Sequence, residues 1–360
     1  MKKKVAFLLV CVFAICFLVG CGQITPGFSD NKPSDGGENG KTDGAVSGGG
    51  TGTEIVVREE DVKFGPSNAD GEISFGEIGY VTFGYYPQTV ATKDALKEMS
   101  ETTDSTGYYK SSYDNEYYAK ISVANVYNLY EGDYEFSDKK KINARATYYF
   151  KVEPIKWRVY GIRSLEDGTR TLYLVSDVIL DSSAFLSTEL YAENPADGKF
   201  YRKDNGVEAN NWAYSTLRKY LNGAFYKEAF GRLDKKDAAK IEERNVSTVS
   251  KVYDENDATE KVYALSTIEA KVLSKFLSAQ VSDYARCRGT FMSVYPQLYG
   301  NGRYWLTGTG DKTYRAAYVS DDKSVSVKGE SVGSDFVGVR PAIAINVESD
   351  VEIQTEEEKK

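Results

Sequence analysis

The chain has 360 residues and a formal net charge of −8. Phosphate backbones repel such a chain, and beyond the N-terminus its longest basic run is Lys139-Lys140-Lys141, the length of a solvated loop, so nucleic-acid binding is not expected. There is no histidine, which excludes Ser-His-Asp and Cys-His catalysis and imidazole metal ligands.

Lys2-Lys3-Lys4 make a positive start, Val5 to Val19 an apolar run, and Leu18-Val19-Gly20-Cys21 overlaps its end. That order describes a secretory signal over 1–20. The run is shorter than the roughly 20 residues of a membrane-spanning helix. Leu-Val-Gly-Cys resembles the bacterial lipobox. The resemblance implies cleavage before Cys21, a diacylglyceryl thioether on its sulfur, and a membrane anchor on the extracytoplasmic face. An uncleaved signal anchor and an ordinary secreted protein are the alternatives. Acyl chains contribute about 0.8 kcal/mol per buried CH₂, so two or more hold where one does not. Cys11 and Cys16 leave with the signal and Cys21 takes lipid. Only Cys287 remains, so neither an internal disulfide nor a cysteine metal site is expected. Arg286 and Arg288 beside it favour a reactive thiolate; a half-buried small residue is the alternative.

Residues 21–71 read as a linker, with Gly22 to Thr53 rich in Gly, Ser, Asp, Asn and Pro. Such a stretch buries too little to offset chain entropy. As a coil it spans roughly 30 Å. A globular domain is expected over 72–347, and a charged tail over 348–360.

Ile73 to Phe83 reads as a hairpin or pair of strands turning at Gly76 and Gly79. The Tyr-rich stretch 91–147 reads as an insertion. Tyr148 to Ile162 and Thr171 to Leu180 are strand-like, joined by a turn at Asp167-Gly168. Ser215 to Tyr226 is helical, with Leu217, Leu221 and Phe225 on one face. Asp234 caps a second helix to Arg244. Lys261 to Leu265 is a short strand. Ser266 and Glu269 form a capping box opening a third helix, with Ile268, Val272, Phe276 and Leu277 as its apolar stripe. Val281 to Arg288 is a further short helix. Strands return at Tyr304-Trp305-Leu306, Arg315 to Ser320, Ser324 to Lys328 and Val337 to Ile345. Strands, then helices, then strands predict an α+β domain with a mainly antiparallel sheet.

Seven segments in order carry a resemblance. They are Phe83-Gly84-Tyr85-Tyr86-Pro87-Gln88, Glu153 to Val159 (EPIKWRV), Trp212 to Asn222 (WAYSTLRKYLN), Ala224 to Phe230 (AFYKEAF), Lys261 to Ser266 (KVYALS), Tyr304-Trp305-Leu306, and Gly338-Val339-Arg340-Pro341-Ala342. Together they resemble a bacterial family of unknown function found on secreted and lipid-anchored proteins, over roughly 73–346. The last two also resemble, more remotely, the end of the C-type-lectin-like fold and its sulfatase-modifying-factor branch. In the first family the tryptophan segment usually continues with an arginine and a serine; here Thr307-Gly308 follow Leu306. The copper-binding cysteine pair of the formylglycine-generating branch cannot be supplied by Cys287 alone, so that oxidase activity is not implied. Arg218 and Arg340 are expected to pair with carboxylates.

No catalytic residue is singled out. Gly329-Glu330-Ser331-Val332-Gly333 matches G-x-S-x-G but lies between strands and lacks a base. Ser137 to Lys140 and Ser320 to Lys323 match S-x-x-K without a leading apolar helix or a later K-T-G. A carboxylate pair would suffice for glycoside hydrolysis, but with 53 acidic residues none stands out. Asp254, Asn256 and Asp257 offer oxygen ligands to calcium; a solvated loop is the alternative. Tyr304, Trp305, Tyr314, Arg315 and Tyr318 combine stacking and hydrogen bonding, as in surfaces that recognise glycans or proteins; for Trp305 burial in the sheet is the alternative. The expected function is a non-catalytic cell-surface binding module for a glycan or protein. A carboxylate-dependent envelope hydrolase and a purely structural envelope component are the alternatives.

Overall fold

A computed structural model describes residues 73–122, 134–143, 145–245, 259–273 and 277–348. The signal, Cys21 and the linker lie outside these residues. So do Asp254, Asn256, Asp257, Phe276, 123–133 and 144 of the insertion, and the tail beyond 348.

The chain order begins with strand β1 (Ile73–Val90), helix α1 (Lys93–Lys97), the short strand β2 (Tyr109–Lys110), β3 (Tyr117–Ile121), the long β4 (Tyr148–Ser164), β5 (Thr169–Ser176) and β6 (Asp181–Ser182). A ribbon of β7 (Tyr191–Asn194) and β8 (Lys199–Arg202) leads to helices α2 (Thr216–Tyr220), α3 (Tyr226–Phe230) and α4 (Lys235–Ala238). Then come β9 (Arg244–Asn245), β10 (Thr259–Glu260), β11 (Val262–Tyr263), α5 (Thr267–Val272) and α6 (Asp283–Arg288). The chain returns to strands with β12 (Tyr304–Thr309), β13 (Arg315–Val319), β14 (Val325–Ser331), β15 (Gly338–Val339) and β16 (Ala342–Glu348).

The larger sheet runs β11-β16-β5-β4-β3-β2, with β1 also on β4, and every pairing in it is antiparallel. The smaller runs β14-β13-β12-β15-β6, and its one parallel contact joins Tyr304 to Gly338. The expectation of a mainly antiparallel α+β fold therefore holds. β5 and β16 are near-continuous buried runs, as strands covered on both faces are. Trp157, Trp212 and Trp305 are among the largest fully buried side chains.

Three expectations change. Ile73 to Phe83 is no hairpin: β1 is one strand along β4, and its register slips near Gly79, between Thr82 and Tyr85, and between Pro87 and Thr89. The glycines serve bulges, not a turn. Val337 to Ile345 is two strands in two sheets, broken at Arg340-Pro341. The helix from Asp234 is short: Asp234 does cap it, accepting from the Asp237 N–H, but the chain leaves helix before Ile241 and is extended again at Arg244.

The helix from Ser215 forms with Leu217, Leu221 and Phe225 buried, and it runs on to Phe230 through a π turn at Leu221–Phe225. Asn222 fills that turn. Its amide donates to the carbonyls of Arg218 and Val262 and accepts from the N–H groups of Lys261 and Val262, tying the helix to β11. The Ser266–Glu269 capping box is present, but Ile268 faces solvent while Ala270 and Leu273 face the core. Arg218 meets the buried Glu260 at 3.2 Å, and Glu260 also accepts from Arg244 and the Trp212 indole. Arg340 donates to the carbonyls of Ser176 and Leu277 and to the Tyr304 hydroxyl.

Candidate functional site

Four elements converge on Asp181, which is 1% exposed in β6. One carboxylate oxygen accepts from the Ser182 N–H at 2.7 Å and from Arg288 Nε at 3.1 Å. The other accepts from the Tyr86 hydroxyl at 2.8 Å and from the Tyr220 hydroxyl. A carboxylate offers about four lone-pair sites, so this one is filled. Burial, and next the charge of Asp181, raise both phenols well above the ordinary tyrosine value, which keeps them protonated donors. The hub thus joins β1, β6, α2 and α6.

Tyr284 and Arg288 are one turn apart on α6 and share a face. The Tyr284 ring stands edge-on to Tyr86 at 5.6 Å and to Phe150 at 5.4 Å. Asp283, at the start of the same helix, accepts from the Val90 N–H and from the N–H and hydroxyl of Ser137, binding the insertion to α6.

A cavity of about 540 Å³ opens beside this hub, within the range of small-molecule sites. Its walls are the 105–108 turn, β3 at Ala119, α3 with the Gly231-Arg232 turn after it, and Tyr284. Glu228 is half-buried on the α3 wall and accepts from the Tyr108 hydroxyl at 2.9 Å. Burial raises its pKa, with Asp181 adding to the rise; the Tyr108 hydrogen bond and Arg288 oppose it. Arg232 lies over the rings of Tyr108 and Tyr117 at 4.6 and 4.3 Å, donates to Thr106 and pairs with Asp104. Lys120 contributes its stem only: its ammonium lies over Tyr109 and Tyr149, which pack with Tyr118 on the other face of β3. Lys227 is exposed on the rim. Of the charged residues, Lys227, Arg232 and Glu228 line the cavity with the Lys120 stem, Asp104 pairs with Arg232, and the Arg288–Asp181 pair lies beside it. The site is polar, with aromatic walls.

A second depression, about 710 Å³, lies along Arg202, Arg218 and Asn222. Its arginines and Asn222 are committed internally: Arg202 to Asp204 and the Tyr214 carbonyl, Arg218 to Glu260 and two carbonyls, Asn222 to β11. The first cavity is the better candidate because the Tyr284 hydroxyl has no protein partner among the described residues and Glu228 has one.

The residues singled out from sequence go elsewhere. Tyr304 and Trp305 are in the core, the Tyr304 hydroxyl on the Leu277 carbonyl and the Trp305 indole on that of Ser183, so neither presents a surface. Tyr314, Arg315 and Tyr318 are half-buried; Tyr314 packs on Phe200 at 4.8 Å, Arg315 pairs with Asp311, and Tyr318 lies opposite Trp305 in the sheet. Cys287 is fully buried, and burial pushes its thiol up to about 12 despite Arg288, so it is a core residue and not a reactive thiolate. Ser331 ends β14 and meets no strand–turn–helix elbow. Sequence reasoning missed Asp181 and Glu228. A hint existed for the first, an acid closing the apolar run Val178-Ile179-Leu180. For the second there was none.

Residues 172–347, just under half of the chain, match the family model of a domain of unknown function (DUF6273). No curated protein and no solved structure matches the chain. Asp181, Tyr220, Glu228, Tyr284 and Arg288 fall inside the matched stretch, while Tyr86 and Tyr108 precede it. The cavity is therefore shared between that domain and the residues before it. No helix among the described residues is long and apolar enough to cross a membrane.

Proposed function

We propose that this protein is a lipid-anchored, extracytoplasmic and non-catalytic recognition module whose cavity at Glu228 takes a hydroxyl-rich ligand of saccharide type. The lipobox-like Leu18 to Cys21 and the linker composition of 21–71 support the anchor. The observation that carries the binding reading is the pairing of a half-buried acceptor, Glu228, with aromatic walls, Tyr108 and Tyr284, in a cavity of about 540 Å³. Sugars present apolar C–H faces to rings and hydroxyls to carboxylates, and this arrangement offers both.

The hydrolase reading requires a second free carboxylate near Glu228. The acid whose charge Glu228 feels is Asp181, and Asp181 is sealed from solvent with both oxygens filled. It cannot attack a sugar carbon or activate a water there. A saccharide array probed with the whole chain tests the reading, followed by titration of any retained glycan. Glu228→Ala and Tyr284→Ala are expected to weaken that glycan by about tenfold each, the cost of one lost charged hydrogen bond or one stacking face. Retention of no saccharide, or unchanged affinity in both variants, overturns it. Mass spectrometry of the N-terminal peptide tests the anchor, with an acylated Cys21 expected.

A further inference from the structure

Arg288 is set apart from the other arginines near the hub and the cavity. Arg286 is buried and spends its nitrogens on the carbonyls of Val281 and Glu135, near Asp283. Arg232 is sandwiched on two rings and paired with Asp104. Arg288 uses Nε alone, on Asp181, and its side chain is 46% exposed. Among the described residues its two terminal nitrogens have no partner. A guanidinium held at Nε and open at its fork is oriented for bidentate capture of a carboxylate or phosphate.

The rest of the hub makes that orientation rigid. Asp181 cannot turn away, because Tyr86, Tyr220 and the Ser182 N–H hold its remaining lone pairs, and the Thr290 hydroxyl holds its backbone carbonyl. Four elements are thus spent on fixing one exposed cation. The aspartate is saturated within the protein, while the terminal nitrogens of the half-exposed arginine are left to solvent or to a ligand. Arg288 lies beside the cavity and not in its lining, one helical turn from Tyr284, which does line it, and its charge acts on Glu228 on the α3 wall.

We infer that Arg288 reads the charge of the ligand, and that the cavity selects a saccharide or polyol bearing an anionic group. This rests on the proposed binding function. In the bound state the ring or polyol hydroxyls meet Glu228 and Tyr108, an apolar face meets Tyr284, and the acidic substituent meets the Arg288 fork. Asp181 is then a positioning residue, out of reach of ligand.

The test is calorimetric titration of the whole chain with two ligands of equal length, neutral oligogalactose and oligogalacturonate, and with oligo(glycerol phosphate) as a phosphate arm. The acidic sugar is expected to bind about tenfold tighter than the neutral one and to weaken as salt rises. In Arg288→Ala the ratio of acidic to neutral affinity is expected to fall to near one, and in Arg288→Lys, which keeps charge without the fork, to an intermediate value. Circular dichroism of both variants reports that the fold persists. Tighter binding of the phosphate arm than the carboxylate arm, lost in the same variants, assigns the anion as phosphate. Equal affinity for neutral and acidic sugar in the unmodified chain, or a preference that survives in Arg288→Ala, overturns the inference and leaves the binding function standing. Failure of all three ligands overturns the inference, and the reading beneath it falls with it only where the array also retains no saccharide.

Discussion

Glu228 and Asp181 show how differently two neighbouring acids can be used. Asp181 is covered by donors; Glu228 has one, Tyr108, and a cavity in front of it. Because burial raises the Glu228 pKa, the folded state holds this proton more tightly than the unfolded state does. The stability it contributes is complete below the unfolded carboxylate value and is lost as pH rises through the folded value. Glu228→Gln removes that term. Its melting temperature is therefore expected to exceed that of the unmodified protein above this window and to converge with it below, in paired thermal melts across acid to neutral pH. Melts that stay parallel across the range would contradict the assignment. Neither acid was legible as a site residue, because nothing periodic separates one functional carboxylate from the rest of 53. Tyr304 and Trp305 misled for a related reason: an aromatic strand reads alike whether its rings face a ligand or the core.

At the level of elements, caps and stripes were readable where chemistry is local. The Ser266–Glu269 box and the Leu217, Leu221, Phe225 face need only three- and four-residue spacing, and both are present. Glycine was harder, since a strand bulge and a hairpin turn ask for the same residue. Gly84 illustrates the point. It has φ +72° within β1, and a Cβ there would lie 2.7 Å from the Phe230 ring and 2.8 Å from the Ala229 carbonyl oxygen. The contact seats β1 against α3, the helix that carries Glu228. Gly84→Ala is expected to cost about 3 kcal/mol in urea unfolding, from the left-handed backbone and the clash together. A loss under 0.5 kcal/mol would mean that β1 yields at this bulge.

Over the whole molecule, the fold class was legible because alternating and fully apolar runs mark strands wherever they pair. Partner choice was not. Nothing in Val337 to Ile345 announces that the two sides of Arg340-Pro341 belong to different sheets. The cavity was unreadable for the same reason: its walls come from 105–120, 224–232 and 284, brought together only by the topology. The crossing at Arg340 has a consequence for unfolding. Its guanidinium joins the Ser176 carbonyl of the larger sheet to the Tyr304 hydroxyl of the smaller. Neither sheet can loosen without stripping a buried cation of its acceptors. The protein should melt as one body, with the fluorescence of Trp157 in one sheet and Trp305 in the other tracing a single curve. In Arg340→Ala both curves should move down together, by about 3 kcal/mol. Were they to separate, the strand that changes sheets would be a hinge, not a rivet.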